Sequence, residues 1–185
     1  MERSETSKRE NDPVSKGDSV VSRLVEALRG AGMAFTQTQH RPVYTSAEAA
    51  EVRGVSLHSG AKALIVKGGD TFLMAVIPAD LSLDSHALRA LLGTKKLRFA
   101  DKEEVSDLTG LTPGSIPPFG SLFHFPTYCD ERLADNERIN FNAGSHCVSI
   151  QMTYADYFAC ESPRIARIAK TDDPTRRNVV GGPPL

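Results

Sequence analysis

The chain has 185 residues, of which 40% are hydrophobic, and its formal net charge at pH 7 is −1. This length and apolar content are typical of one folded domain with a short tail or two. Tryptophan is absent and aromatic residues make up 6%, so the core is expected to be aliphatic. The near-neutral charge excludes a uniformly basic surface, so any contact with a polyanion must use a local patch.

Apolar runs such as 72–78 are too short to span a membrane, and residues 1–17 lack the apolar segment of a signal peptide. The three cysteines, Cys129, Cys147 and Cys160, show no Cys-x-x-Cys spacing and are expected to be reduced thiols of a cytoplasmic protein. No metal or other cofactor is expected, and neither DNA nor a membrane is expected as a partner. The protein is expected to be a monomer.

Three segments are predicted along the chain. Residues 1–17 are charged and polar without periodic apolar positions, which predicts a disordered N-terminal tail. Residues 18–170 alternate between helical and strand patterns and are predicted to form the folded domain. Residues 171–185 end in Gly-Gly-Pro-Pro-Leu and are predicted to form a flexible C-terminal tail.

Local patterns predict the elements of this domain in chain order. Thr45 with Glu48, and Asp101 with Glu104, have the spacing of capping boxes that open helices. The strands at 61–67 and 71–78 flank a Gly-Gly-Asp turn and are apolar at nearly every position, which predicts a hairpin covered on both faces. The predicted helices cover 20–28, 45–53, 83–92, 101–109 and 154–160, and the predicted strands cover 34–39, 61–67, 71–78, 96–100, 122–125, 138–141 and 148–152.

This mixed order of helices and strands predicts an α+β fold. We expect a single domain with a mixed, curled, barrel-like sheet that is flanked by helices.

Lys62 lies at the mouth of an apolar strand, directly after Gly60 and Ala61. A lysine at a strand edge commonly extends to solvent. The functional interpretation is a fixed cation beside a phosphate or a carbonyl, or an amine that forms a Schiff base with its substrate.

The loop 112–120 contains three prolines and two glycines and almost no side-chain chemistry. It is either a plain connector or a rigid wall whose N–H groups orient a carbonyl or an oxyanion. The chain has no Gly-x-Ser-x-Gly elbow, which disfavours a serine hydrolase.

Other candidate residues are less specific. His40 precedes Arg41 and Pro42 at the end of a predicted strand, and residues 141–144 are predicted to join two strands as a turn or as a wall that sets selectivity. Two basic clusters are either solvated faces or patches that contact RNA. These clusters are Lys95, Lys96 and Arg98, and Arg164, Arg167, Lys170, Arg176 and Arg177.

In combination, these motifs resemble the YbaK/ProX family of aminoacyl-tRNA editing domains, which is related to the insertion domain of bacterial prolyl-tRNA synthetase. The resemblance covers residues 20–160 and looks most similar to the free-standing YeaK-like branch. It rests on His40-x-Pro42, Ala47-x-x-Ala50, Gly60-Ala61-Lys62, the strand 72–78, Leu91-Leu92-Gly93-x-Lys95-Lys96, residues 100–105, Thr109-Gly110, Gly114-x-x-x-Pro118-Phe119-Gly120, Asp130 and Phe141-Asn142-Ala143-Gly144.

The resemblance implies a metal-independent deacylase that acts in trans on the ester of a mischarged tRNA. It implies that Lys62 is the central catalytic-site residue and that the loop with Gly114 and Pro118 orients the ester carbonyl. A ribose hydroxyl next to the ester is implied to help activate the water. The implied substrate-binding residues are His40, Ser115, Ile116, Pro117, Phe119, Asn142, Ala143 and Gly144.

Two positions depart from the family pattern. Ala63 follows the lysine where some members carry Asn or Thr, and Asn142 stands where the alanine-specific branch has His. An amide in the pocket suits a small or hydroxylated amino acid, so Ser, Thr, 2-aminobutyrate or Ala is expected.

Alternatives remain open at this point. The same pocket could hold an aminoacyl-tRNA or a nucleotide without turnover, or the domain could be an adaptor on an aminoacyl-tRNA synthetase. Mischarged tRNA is the expected partner in the first interpretation, and a synthetase is a further one.

Overall fold

The computed structural model describes residues 16–171, so the two predicted tails lie almost wholly outside it and stay predictions. The five helices in this range are α1 (Lys16–Gly30), α2 (Ser46–Arg53), α3 (Ser85–Leu92), α4 (Lys102–Thr109) and α5 (Tyr154–Glu161). The ten strands are β1 (Phe35–Gln39), β2 (Ala61–Gly68), β3 (Thr71–Pro78), β4 (Leu81–Leu83), β5 (Leu97–Phe99), β6 (Thr127–Asp130), β7 (Arg138–Ser145), β8 (Val148–Thr153), β9 (Arg164–Ala166) and β10 (Ala169–Thr171). None of the described helices is long and apolar enough to cross a bilayer.

The described strands form three open sheets. The largest has the order β5-β2-β3-β6-β9 and is mixed, because β6 runs parallel to β3 and to β9 while the other pairs are antiparallel. A second sheet, β1-β8-β7, is antiparallel, and β10 pairs with β4 in the third. The α+β class and the mixed sheet are confirmed. The barrel-like sheet is not supported, because the strand pairs do not close into a ring.

Both faces of the large sheet are covered, as the apolar hairpin predicts. Successive side chains of β3 alternate between two clusters of buried residues. Met74 and Val76 belong to the cluster that includes α1, β7 and β8. Leu73, Ala75 and Ile77 belong to the cluster that includes β4, α3 and β10. The core is aliphatic apart from a few rings, in line with the composition.

The two capping-box signals in the sequence are confirmed. Thr45 and Glu48 form a capping box, and Gly54 ends α2 with φ of 65°. Asp101 and Glu104 form a second capping box at the start of α4. These caps satisfy N–H groups that lack partners at a helix start, so they act locally and can be recognised from spacing.

Two local predictions were wrong. Residues 122–125 are not a strand, because the chain forms a 3₁₀ turn over Gly120–Phe123 and the strand begins at Thr127. Residues 141–144 are not a turn, because β7 continues to Ser145 through a register shift. Gly144 has φ of 98°, and the irregularity places Ala143 and Gly144 between the pairs Asn142–Ser149 and Ser145–Val148 without ending the strand.

Candidate active site between the two larger sheets

A cleft of about 230 Å³ opens where the two larger sheets meet. An isolated bridge between Gly60 and Asn140 joins the start of β2 to β7 at this point. The walls are the start of β2, the middle of β7, α2 and the loop 114–116. The cleft therefore brings together the two segments that the sequence singled out, at Lys62 and at Gly114.

Lys62 lines the cleft and is held by backbone carbonyl groups. Its Nζ donates to the carbonyl oxygen of Leu81 at 2.7 Å and to that of Ala79 at 3.4 Å. Both acceptors lie in the segment that follows β3, and carbonyl oxygens stabilise a positive charge on the amine.

The loop beside Lys62 offers backbone donors to the cleft. Gly114 and Ile116 line the cleft, and within residues 16–171 no atom accepts a hydrogen bond from the backbone N–H of either residue. Ser115 lies between them and is tied down, because its carbonyl oxygen accepts from the Gly144 N–H at 2.8 Å and its hydroxyl donates to the Thr112 carbonyl oxygen at 2.9 Å. The loop is therefore rigid while two of its donors remain available.

Asn142 lines the cleft, but both ends of its amide have partners. Nδ2 donates to the carbonyl oxygen of Gly114 at 2.6 Å, and Oδ1 accepts from Nη2 of Arg53. The guanidinium can only donate, so it fixes the amide with its nitrogen toward Gly114. Asn142 thus fastens β7 to the loop that carries the backbone donors.

Arg53 is a cleft residue that the sequence reasoning did not assign a role. It lies in the last turn of α2, where a basic residue ordinarily complements the helix dipole, so its position gave no signal of its own. Its Nε donates to Ser149 Oγ at 2.8 Å, and no carboxylate of the described chain forms an ion pair with it. Burial lowers the pKa of Arg53 to about 10.

His40 does not line the cleft but supports Arg53 from behind. Its Nδ1 lies 2.8 Å from the carbonyl oxygen of Arg41, so Nδ1 carries a proton. Its Nε2 lies 2.6 Å from Ser149 Oγ, and the same oxygen accepts a hydrogen bond from Nε of Arg53. A chain of hydrogen bonds therefore runs from His40 through Ser149 and Arg53 to Asn142.

The predicted site residues separate into two groups. Lys62, Gly114, Ile116 and Asn142 line the cleft together. The remaining ones lie behind it or in the core: Phe119 is 2% exposed and packs against Phe141 and Tyr157. The residues of this second group are His40, Ser115, Pro117, Pro118, Phe119, Ala143 and Gly144.

The basic clusters are partly neutralised. Arg98 forms a bidentate ion pair with Glu104, with both N–O distances at 2.6 Å, whereas Lys95 and Lys96 are exposed on the surface. Arg167 lies 3.9 Å from Glu131. Arg176 and Arg177 lie outside the described residues. 

All three cysteines are free thiols, as the sequence predicts, and burial raises the pKa of Cys129 to about 12. Within residues 16–171, His, Cys, Asp and Glu side chains form no group of three that could hold a metal ion.

Comparison with known proteins identifies the domain. A model of the aminoacyl-tRNA editing domain matches residues 40–160. The chain belongs to the aminoacyl-tRNA editing domain family. The matched range begins at His40 and includes every cleft residue described above.

The relatives of this domain include a free-standing tRNA deacylase and a proline–tRNA ligase. The chain is 31% identical over 163 residues to the multifunctional Ser/Thr-tRNA deacylase ProXp-y of Escherichia coli (strain K12), and the match covers 85% of this chain and 98% of that protein. It is 37% identical over 106 residues to the proline–tRNA ligase of Shouchella clausii, covering 56% of this chain but 19% of the ligase. The editing domain therefore corresponds to the whole of one relative and to a small part of the other.

Solved structures agree with this assignment. A crystal structure of a proposed trans-editing enzyme for prolyl tRNA synthetase superimposes with a TM-score of 0.72 at 25% identity. The superposition covers 82% of this chain and 97% of that one.

Proposed function

We propose that this editing domain is a trans-acting deacylase. It hydrolyses the ester that links a wrongly attached small amino acid to the terminal adenosine of a tRNA. The observation that carries the proposal is that Lys62, Gly114 and Ile116 line one cleft, where the N–H groups of Gly114 and Ile116 have no acceptor within residues 16–171. The relative named as a Ser/Thr-tRNA deacylase, which matches along 98% of its own length, supports the same reaction.

The chemistry needs positioning and charge stabilisation more than a protein nucleophile, because an aminoacyl ester is already activated. A water oxygen adds to the ester carbonyl carbon, and the resulting oxyanion is stabilised by the loop N–H groups and by the Lys62 ammonium. The bond to the ribose oxygen then breaks, and that oxygen takes up the proton from the water. The neighbouring ribose hydroxyl relays this proton in our proposal.

The preferred amino acid is small. A cleft of about 230 Å³ suits Ser, Thr, 2-aminobutyrate or Ala. Apolar pockets discriminate by about 1–3 kcal/mol per methylene, so the domain is expected to accept several of these. The role of Asn142 in selectivity is indirect in this proposal, because its amide already bonds Arg53 and Gly114.

The proposed partner is mischarged tRNA, and a synthetase is a proposed second partner because related domains lie within proline–tRNA ligases. Activity of this kind places the protein in the cytoplasm, where tRNA is charged. The monomeric state stays a prediction.

The test is release of labelled amino acid from a panel of tRNAs charged with Ser, Thr, 2-aminobutyrate or Ala. Lys62→Ala is expected to reduce kcat/KM at least about tenfold, equivalent to about 1.4 kcal/mol of transition-state stabilisation. Lys67→Ala is the matched control, because Lys67 lies on the same strand but packs its ammonium 5.0 Å from the Phe72 ring, outside the cleft. The Nζ bonds of Lys62 also join β2 to the segment after β3, so thermal unfolding of each variant is measured in parallel.

A wild-type protein that binds mischarged tRNA but releases no amino acid would contradict the deacylase and favour a non-catalytic binding module. Full activity in a folded Lys62→Ala variant would remove Lys62 from the proposed mechanism while leaving the deacylase in place.

A further inference from the structure

The mouth of the cleft carries an exposed aromatic ring. Tyr44 lies between β1 and α2, lines the cleft, and is 73% exposed. The other large hydrophobic residues exposed within residues 16–171 range from 37% to 53%. Single exposed apolar residues are ordinary on protein surfaces, so the position of Tyr44 at the cleft, rather than its exposure alone, calls for an explanation.

The ring of Tyr44 contacts the ring of His146. His146 lies against it with ring centroids 4.8 Å apart and an interplanar angle of 39°. His146 is itself held at both ring nitrogens: Nδ1 donates to the Val43 carbonyl oxygen at 2.9 Å, and Nε2 accepts from the Thr112 hydroxyl at 3.1 Å. A fixed imidazole therefore contacts the Tyr44 ring, while 73% of the residue stays exposed.

The same imidazole connects the ring to the loop with the backbone donors. A Cβ atom added to Gly114 would lie 3.2 Å from Cε1 of His146, so the histidine packs directly against this glycine. The spacing between the Tyr44 ring and the Gly114 loop is thus set by rigid groups. A ligand that contacts both is held at a defined distance from Lys62.

We propose that Tyr44, backed by His146, is the platform on which the terminal nucleobase of the substrate stacks. This inference rests on the proposed deacylase, in which the ester lies on the ribose of the terminal adenosine. When the ester reaches Lys62 and Gly114, the ribose lies at the cleft and its base lies at the mouth. Aromatic side chains that accept the face of a base are a general means of holding single-stranded nucleic-acid ends.

The platform also explains how the domain can recognise the 3′ end of a tRNA independently of the rest of the tRNA sequence. Every tRNA acceptor carries the same terminal base, so stacking on Tyr44 binds all mischarged tRNAs alike and leaves amino-acid selection to the cleft. Stacking tolerates any base because each has a π face, so the platform adds affinity rather than sequence specificity.

The first experiment compares Tyr44→Ala, Tyr44→Phe and Phe158→Ala in steady-state deacylation. Phe158 is the matched control, because it is also an exposed aromatic residue (44%) but does not line the cleft. Tyr44→Ala should raise KM about tenfold with a smaller change in kcat, as expected for lost uniform binding. Tyr44→Phe keeps the ring and should recover most of the lost affinity, and Phe158→Ala should match the wild type.

The second experiment needs no turnover. AMP and ribose 5-phosphate are titrated against wild type and Tyr44→Ala, with binding followed by NMR chemical shifts. AMP should bind the wild type at least about tenfold more tightly than ribose 5-phosphate, and this difference should vanish in Tyr44→Ala.

The outcomes separate the platform from the deacylase. Loss of the AMP preference in Tyr44→Ala supports the platform even if the wild type releases no amino acid, a result that would refute only the deacylase. An unchanged KM in Tyr44→Ala, or equal binding of AMP and ribose 5-phosphate by the wild type, overturns the platform even if deacylation is efficient.

Discussion

Arg53 places a partly buried cation in the cleft, and no carboxylate within residues 16–171 forms an ion pair with it. Burial lowers the pKa of Arg53 to about 10, so the folded protein disfavours the charged form. Because the side chain is nevertheless charged at neutral pH, its burial costs stability at every pH below that value. A stability cost of this kind is typical of residues that serve a site rather than the fold.

We predict that Arg53→Met lowers kcat/KM about tenfold while the free energy of unfolding stays within about 1 kcal/mol of the wild type or rises. The reason is that Arg53 fixes the Asn142 amide toward Gly114, whereas its charge contributes no ion pair to the fold. The measurements are steady-state deacylation and urea unfolding. Arg29→Met, which removes an exposed cation at the end of α1, is the control and should leave both unchanged.

Asn142 and Arg53 should also act as one unit. Asn142→Ala breaks the same connection to Gly114. The double variant should therefore be about as active as the less active of the two single variants. Additive losses in this double-mutant cycle would show that the two side chains contribute separately and would contradict a shared role in holding the Gly114 loop.

At the scale of elements, α5 carries a polar group that the fold leaves unpaired. Tyr157 is fully buried within this helix, and its hydroxyl has no hydrogen-bond partner in the described chain. Its ring packs edge-on against Phe119, which is part of the loop that follows the cleft donors. The ring of Tyr157 therefore contributes packing contacts to the core, whereas its hydroxyl contributes no hydrogen bond within the described chain.

We predict that Tyr157→Phe is as stable as the wild type or more stable by about 1 kcal/mol, because it removes a buried group that lost its water without gaining a partner. Tyr128→Phe is the matched control: its hydroxyl accepts from Arg164 at 3.1 Å, so its loss should destabilise by about 0.5–1.5 kcal/mol. Urea unfolding of both variants decides the matter. A loss in Tyr157→Phe equal to that in Tyr128→Phe would mean that the Tyr157 hydroxyl is satisfied after all.

Elements with local signals could be predicted from the sequence, and elements defined by distant partners could not. The caps of α2 and α4 depend on residues three positions apart, and the hairpin of β2 and β3 on a turn between them. By contrast β10 exists because Ala169 pairs with Leu83, far away in the chain. Three-residue strands of this kind have no periodicity to detect.

Site residues with local sequence signals could likewise be predicted, and those defined by distant contacts could not. Lys62 and Gly114 could be predicted because their neighbours form recognisable motifs, and the structure places both at the cleft. Phe119 belongs to the same motif but lies in the core, since motif membership does not say which way a side chain points. Arg53 was missed because its role depends on Asn142 of β7 and Ser149 of β8. Tyr44 was missed because its role depends on His146, which lies between these two strands.

At the scale of the whole molecule, Asp130 ties the end of β6 to the connection between β9 and β10. Its side chain is fully buried; Oδ2 accepts from the backbone N–H groups of Ile168 at 2.8 Å and Ala169 at 2.6 Å, and Oδ1 accepts from Arg132 Nε at 2.9 Å. Arg132 also donates to the carbonyl oxygen of Ala169. One carboxylate thus holds the last described strands against the large sheet.

This arrangement makes stability depend on pH. Burial opposes ionisation of Asp130, but the hydrogen bonds from Arg132, Ile168 and Ala169 outweigh it, and the pKa of Asp130 lies below its ordinary value. A lowered folded-state pKa means that the stabilisation is complete above the unfolded-state pKa of about 3.9 and is lost as the pH falls through the folded-state value. Glu104, whose pKa falls to about 2 mainly through its bond to Arg98, adds to the same acid sensitivity.

We predict that Asp130→Asn lowers the free energy of unfolding at pH 7 by about 3 kcal/mol, because it leaves Arg132 without its buried partner and turns an amide N–H toward other donors. The difference between wild type and variant isolates Asp130, since Glu104 contributes equally to both. That difference should be constant from pH 7 down to about 4 and shrink below it as Asp130 takes up a proton. Urea unfolding at a series of pH values measures it, with Glu131→Gln as the control, because the exposed Glu131 lies 3.9 Å from Arg167 and should matter little. A difference that grows as the pH falls below 4 would reverse the sign of the linkage and show that the fold holds Asp130 as the neutral acid.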